Sequence, residues 1–203
     1  MKRYLCMGLV FLLAVSLFAG CGGRLNVDRS TVYVQKKGTV LSADVIQFDK
    51  AHYDETELEE GIKSQVEEYC SEAGDKVSME SFAVKDGVAK LNLKFDTFKD
   101  YQNFIQIELY SGNIVKARAE GYDFDAEFFS VSDGEKKSVS TEEVLEADDN
   151  KVVIIKANVD VKVDGTILYV SGENTSVKGK DTASIAGDEE RSEEADVTYI
   201  IYK

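Results

Sequence analysis

His52 is the only imidazole in the chain, so any hydroxyl or thiol nucleophile would have to use it as base, and paired-histidine zinc sites are excluded. It stands in Ala51-His52-Tyr53-Asp54, just ahead of a helix start, and no Gly-x-Ser-x-Gly elbow exists to partner it. Ser132-Asp133-Gly134 matches one element of Ser-Lys chemistry, but Ser-x-x-Lys and Lys-Thr-Gly are both missing, which leaves Asp133-Gly134 as a turn. A glycine-rich phosphate loop, a Cys-x-x-Cys pair and EF-hand spacing are also absent. No catalytic residue, cofactor or metal site is expected. A carboxylate pair could hydrolyse a glycoside, yet among 38 acids some pair always falls near the required separation, so abundance singles out none. Asp123 and Asp125 flank Phe124 and could chelate Ca²⁺ at one edge, with a solvent face as the simpler reading. The one feature that marks a ligand platform is aromatic. Nine Phe and Tyr residues fall between Phe95 and Phe129, and Tyr101, Tyr110 and Tyr122 are the candidate ligand-binding residues, because a Tyr ring can pack while its hydroxyl faces a groove.

The elements that must position these residues follow from periodicity and turn chemistry. Ser30 to Gln35 and Thr39 to Phe48 read as a hairpin around Lys36-Lys37-Gly38. Thr56-Glu57-Leu58-Glu59 reads as a capping box for a helix whose Leu58, Ile62, Val66 and Cys70 recur every four residues up to Gly74. Cys70 lies on that apolar stripe as a small buried hydrophobe. Val77 to Val84 and Val88 to Phe95 flank Asp86-Gly87, a dipeptide suited to a type I′ turn. Thr97 and Asp100 open a short helix, Ile105 to Tyr110 return as a strand before Ser111-Gly112, and Ile114 to Glu120 form a helix stopped by Gly121. Ser140 and Glu143 cap a helix over Thr141 to Ala147. Val152 to Ile155 read as a strand covered on both faces. Val159 to Val163 and Ile167 to Val170 read as partners around Asp164-Gly165, and Ser176 to Lys178, Thr182 to Ile185 and Val197 to Tyr202 complete a meander. The acidic loop 188–196 reads as solvated rather than as a cation or partner site.

The chain has 203 residues, 24 basic against 38 acidic, and a formal charge of -14. That length suits one domain or two small ones, and an apolar fraction of 43% supplies a core. The acidic excess repels phosphate backbones, so nucleic acid is not an expected partner. It also opposes adsorption to anionic headgroups, so membrane residence has to come from an inserted or covalent apolar group.

Met1-Lys2-Arg3, sixteen largely apolar residues from Tyr4 to Ala19, and Gly20-Cys21 form the charged, apolar and small-residue regions of a secretory signal. The apolar run is shorter than the roughly 20 residues a span requires and ends in Gly20-Cys21-Gly22-Gly23. Leu17-Phe18-Ala19-Gly20-Cys21 resembles the lipobox of bacterial lipoproteins, departing from it at Phe18, where that family usually has Leu. The resemblance covers the leader alone. It implies cleavage between Gly20 and Cys21, a diacylglyceryl thioether on Cys21, and attachment to the extracytoplasmic face of the cell membrane. Two acyl chains suffice for stable anchoring. Gly22 does not match the Asp that retains lipoproteins of that family in an inner membrane. With Cys6 in the leader and Cys21 modified, Cys70 remains alone and no intramolecular disulfide is expected. Val84 to Leu91 looks loosely like a strand-turn-strand of sporulation and germination envelope lipoproteins, and the chain as a whole looks like small lipoproteins of clostridia-like bacteria.

The expected organisation is a signal peptide over 1–20, a lipidated Cys and short tether over 21–29, and an extracytoplasmic domain over 30–203. Its expected fold is α+β: a mixed helix-and-antiparallel-sheet lobe over about 30–125, then a β-rich lobe over 126–203 sharing one core. The expected function is a lipid-anchored binding or scaffold module without catalysis, partnered by an envelope protein or small ligand. The alternative is a cell-surface hydrolase using a carboxylate pair.

Overall fold

The computed structural model describes residues 24–132, 135–146, 149–187 and 195–203. The cleavage site Gly20-Cys21, the Asp133-Gly134 turn and most of the acidic loop 188–196 lie outside the described residues. The fold is α+β and rich in strands, with four helices and two sheets among the described residues.

The first hairpin pairs β1 (Thr31–Val34) with β2 (Val40–Gln47). A second pairs β3 (Val77–Lys85) with β4 (Val88–Phe95). Its turn residues Asp86 and Gly87 have φ of 52° and 75°, as a type I′ turn demands. Between the hairpins runs α1 (Glu55–Ala73), capped by Asp54, whose carboxylate accepts from the Glu57 N–H at 2.9 Å. The cap is therefore Asp54 rather than Thr56. Asp54 is extended while Thr56 is already helical, and a carboxylate there also meets the positive end of the helix dipole.

Thr97 caps α2 (Phe98–Ile105), accepting from the Asp100 N–H, and Gln106 closes it in the left-handed conformation. The chain then enters β5 (Leu109–Asn113) and α3 (Ile114–Ala119). Ser111-Gly112 thus lies inside a strand, not after one, because β5 pairs through Gly112 with Val152. Next come β6 (Phe128–Ser132), β7 (Glu135–Val139), α4 (Thr141–Glu146), β8 (Lys151–Ile155) and β9 (Asp160–Val163). The chain ends with β10 (Ile167–Ser171), β11 (Thr175–Lys178), β12 (Thr182–Ile185) and β13 (Thr198–Tyr202).

The seven-stranded sheet runs β11-β12-β9-β1-β2-β4-β3 and the six-stranded sheet β5-β8-β13-β10-β6-β7. Helices concentrate before residue 125 and strands after it, yet both stretches contribute to both sheets. The β9–β10 hairpin does not form. β9 pairs with β1 and β12, whereas β10 pairs with β13 and β6, so the chain changes sheets at Asp164-Gly165. Gly165 permits the crossing: a Cβ there would lie 2.4 Å from the Lys203 carbonyl oxygen. The last strand likewise inserts between β8 and β10 instead of extending a meander.

Strand alternation divides the core in two. Val153, Ile155, Ile200 and Tyr202 face Val32, Val34, Val161 and Val163 of the seven-stranded sheet. Val152, Ile154, Tyr199 and Ile201 face Ile114, Ala117, Phe124 and Val144 on the opposite side. β8 and β13 are therefore covered on both faces, which is why they read as unbroken apolar runs.

Candidate binding groove

Of the three candidate tyrosines, two converge and one does not. Tyr101 sits on the buried side of α2, 2% exposed, with its ring edge-on to Phe95 at 5.2 Å between centroids. Its ring is core. Tyr110 and Tyr122 meet at 5.2 Å, and Phe98 closes on Tyr110 at 5.3 Å. The half-buried rings of Phe98 and Tyr122 border a groove of about 510 Å³ that carries Lys99, Gln102, Asn103, Glu108, Glu120 and Gly121, while Tyr110, itself only 2% exposed, lies behind them at its base.

Local structure explains the convergence. Helical spacing puts Phe98 and Gln102 on one line of α2, with Lys99 and Asn103 on the next. Tyr110 shares a strand face with Gly112, and its hydroxyl lies over that glycine: a Cβ at residue 112 would come within 2.2 Å of the phenol oxygen. The strand therefore needs Gly at 112 for close approach. Helix α3 then turns the chain back, and Tyr122 N–H donates to the Ala117 carbonyl, fixing residue 122 beside Tyr110.

Electrostatics separate the two rings. Burial pushes the Tyr122 phenol well above the ordinary tyrosine value, and the adjacent Glu108 carboxylate raises it further. Burial first, then the charge of Glu120, pushes Tyr110 upward too. Both phenols stay neutral donors at physiological pH. Glu108 is half-buried and Glu120 exposed. The groove therefore sets the partly exposed rings of Phe98 and Tyr122 among amide, carboxylate and ammonium groups, a mainly polar lining that can stack and hydrogen-bond.

Sequence reasoning missed Glu108, Glu120, Gln102 and Asn103. The helical spacing of Phe98 with Gln102 and Lys99 with Asn103 was a usable signal for the amides. Nothing local marked the two glutamates, which β5 and the end of α3 bring in. Asp123 and Asp125 form a local turn in which Asp123 accepts from the Asp125 N–H at 3.0 Å, with Phe124 in the left-handed conformation at φ 57°. Among the described residues no group of three or more His, Cys, Asp or Glu could hold a metal ion, and no helix is long and apolar enough to cross a membrane.

A second groove lies between α1 and the seven-stranded sheet. Ile46, Leu58, Ile62, Phe82, Leu91 and Phe104 line a space of about 320 Å³ there, and a neighbouring space of about 510 Å³ extends past His52 and Tyr53. Asp44, His52, Asp54, Glu57 and Gln65 also line these two spaces, on a predominantly apolar surface. His52 packs edge-on to Tyr53 at 4.8 Å, and Cys70 donates from Sγ to the Val77 carbonyl at 3.2 Å. Comparison of the chain with family models, with curated proteins and with solved structures gives no match.

Proposed function

We propose that the chain is a lipid-anchored extracytoplasmic protein, held in the cell membrane through Cys21 and acting as a non-catalytic binding module. Its binding site is the Phe98–Tyr110–Tyr122 groove, and its ligand class is a short glycan segment. The observation that carries the ligand class is the aromatic wall bordered by Gln102, Asn103 and Glu108. Sugar rings present apolar C–H faces and hydroxyl edges, and these match such a wall and rim. The leader carries the anchor reading.

A carboxylate-pair hydrolase is the second reading, favoured by the fact that Glu108 and Glu120 line one groove. Two features support binding instead. Glu108 lies beside the Tyr122 phenol on the groove wall, and Glu120 is exposed at the end of α3, where water competes for it.

With 10 Tyr and no Trp, tyrosine emission reports occupancy directly. Titration with chitooligosaccharides and other glycan oligomers is expected to quench it saturably. Tyr122→Ala should weaken binding by about tenfold or more, while Tyr101→Phe leaves it intact. Shortened oligomers accumulating with the native chain and not with Glu108→Gln would replace this reading with the hydrolase. Separately, Cys21→Ala should abolish lipid modification, and unchanged mobility and detergent partitioning would end the lipoprotein reading.

A further inference from the structure

Charge in this protein is not spread evenly between the seven-stranded sheet and the helix that covers it. By strand register, Lys85, Lys90, Lys94, Lys162 and Lys178 all project from the outer face of the seven-stranded sheet, the face turned away from α1. Asp160 projects from the same face, and Glu80 sits at a bulge beside Ser78, which donates to its carboxylate. Across the sheet, α1 carries seven glutamates against Lys63 alone. A chain with a formal charge of -14 thus presents one basic face and, behind it, one strongly acidic helix.

The segment 24–29 lies on the basic face and is pinned there. Arg24 Nε donates to the Glu80 carbonyl at 3.1 Å, Leu25 N–H to Asn92 Oδ1 at 2.7 Å, and Lys90 Nζ to the Val27 carbonyl at 2.6 Å. Arg29 ends the run with bonds to Asp160 Oδ1 at 2.6 Å, Ser184 Oγ at 2.9 Å and the carbonyls of Asn158 and Ile185. The stretch expected to be a short tether is therefore fixed to the sheet from Arg24 onward. Only three residue steps separate Arg24 from Cys21, at most about 11 Å of extended chain.

We propose that the outer face of the seven-stranded sheet is a membrane-facing surface that rests on anionic lipid headgroups, with α1 pointing away from the bilayer. The inference rests on the anchor at Cys21. A strap bonded across one face and tied to lipid within three residues leaves that face nearest the membrane, and its lysines then meet the surface charge they complement. Several of these cations are already paired, Lys90 with Asp28, Lys178 with Asp160 and Lys162 with Asp181. Lys85 and Lys94 are exposed and form no ion pair among the described residues, so they carry the largest share of the attraction. Net charge, which opposes adsorption for the molecule as a whole, averages over two faces of opposite sign.

The test uses the full lipidated chain in a Cys70→Ser background, in vesicles of phosphatidylcholine alone or with anionic phosphatidylglycerol. A fluorophore is placed at Ala83→Cys on the outer face or at Glu67→Cys on α1, and a headgroup quencher reports proximity. In anionic vesicles the Ala83 label is expected to be quenched strongly and the Glu67 label weakly. Lys85→Gln and Lys94→Gln should each lower the ratio of sheet-down to sheet-up molecules by roughly fivefold, and high salt should do the same by screening. Equal quenching at both positions, or stronger quenching at Glu67, overturns the orientation. Flotation with neutral vesicles checks the anchor independently: a chain that fails to float there overturns the lipid attachment and the orientation with it, whereas a chain that floats but shows equal quenching overturns the orientation alone.

Discussion

Helix α1 and strand β13 both turn apolar side chains toward the interior, yet they are seated very differently. The 19 residues of α1 include no fully buried side chain, and its stripe of Leu58, Ile62, Val66 and Cys70 is only half covered. All five residues of β13 are buried. The helix covers one face of one sheet and leaves a groove beside Ile46, which is 52% exposed. The strand is central, with neighbours on both edges and layers on both faces. An amphipathic pattern thus states which side of an element faces inward, whereas how completely it is filled depends on the partner surface.

Truncating each element sharpens that contrast. Ile201→Ala, which empties a site with no solvent access, should cost about 3 kcal/mol, within the roughly 2 to 5 found for buried Ile or Leu truncations. Chemical denaturation measures it. Gly112→Ala comes next: its Cβ meets the Tyr110 ring, and overpacking of that kind costs about 1–3 kcal/mol. The same variant should also weaken glycan binding, because Tyr110 has to move. Ile62→Ala on α1 should cost only about 1 kcal/mol, since its side chain is already partly in contact with water. An Ile62→Ala loss equal to that of Ile201→Ala would show that α1 is as tightly seated as β13.

The smallest expected effect concerns acid. Burial pushes the Asp160 carboxyl upward, but hydrogen bonds from Ser184, Lys178 and Arg29 outweigh it and hold the group below the ordinary aspartate value of 3.8. A depressed folded value means that the clamp's contribution is complete above the unfolded pKa and disappears as pH falls through the folded one. Denaturation midpoints measured from pH 5 downward should therefore fall more steeply for the native chain than for Asp160→Asn. At the alkaline end, Tyr33 is pushed up to about 12 by burial and by Asp164. Its phenol should titrate late in ultraviolet absorbance, with stability lost as pH rises above the ordinary value of 10.0.

Most of the local structure was legible because its signals are local. Asp86-Gly87, Lys36-Lys37-Gly38, the Thr97 and Ser140 caps and Gly74 each act over three or four residues, and each marks a turn or helix end that forms. Long-range pairing was not legible. Asp164-Gly165 resembles a hairpin turn, but the identity of the next partner is decided by Lys203 and Tyr202, far along the chain. The groove shows the same division. Tyr110 and Tyr122 stood out by residue type, whereas Glu108 and Glu120 became site residues only when β5 and α3 folded back on one another. Arg29 looked like part of a tether until its four partners came together from β9, β12 and the residues flanking them.

The interleaving of the strands also sets a timetable for folding. β1 lies in the middle of its sheet and waits for β9, whose register begins at Thr31 with Asp160, while the centre of the other sheet is completed by the final strand. Loop closure over such separations is slow compared with hairpin or helix formation. In a chain that crosses a membrane from its N-terminus, the seven-stranded sheet cannot close until residues near Ile185 have emerged, nor the six-stranded sheet until those near Tyr202 have. On the proposed extracytoplasmic location, the same delay would keep the chain threadable, and in any setting it exposes unpaired strand edges before the last strand arrives, which makes that interval the point at which aggregation or a chaperone competes with folding.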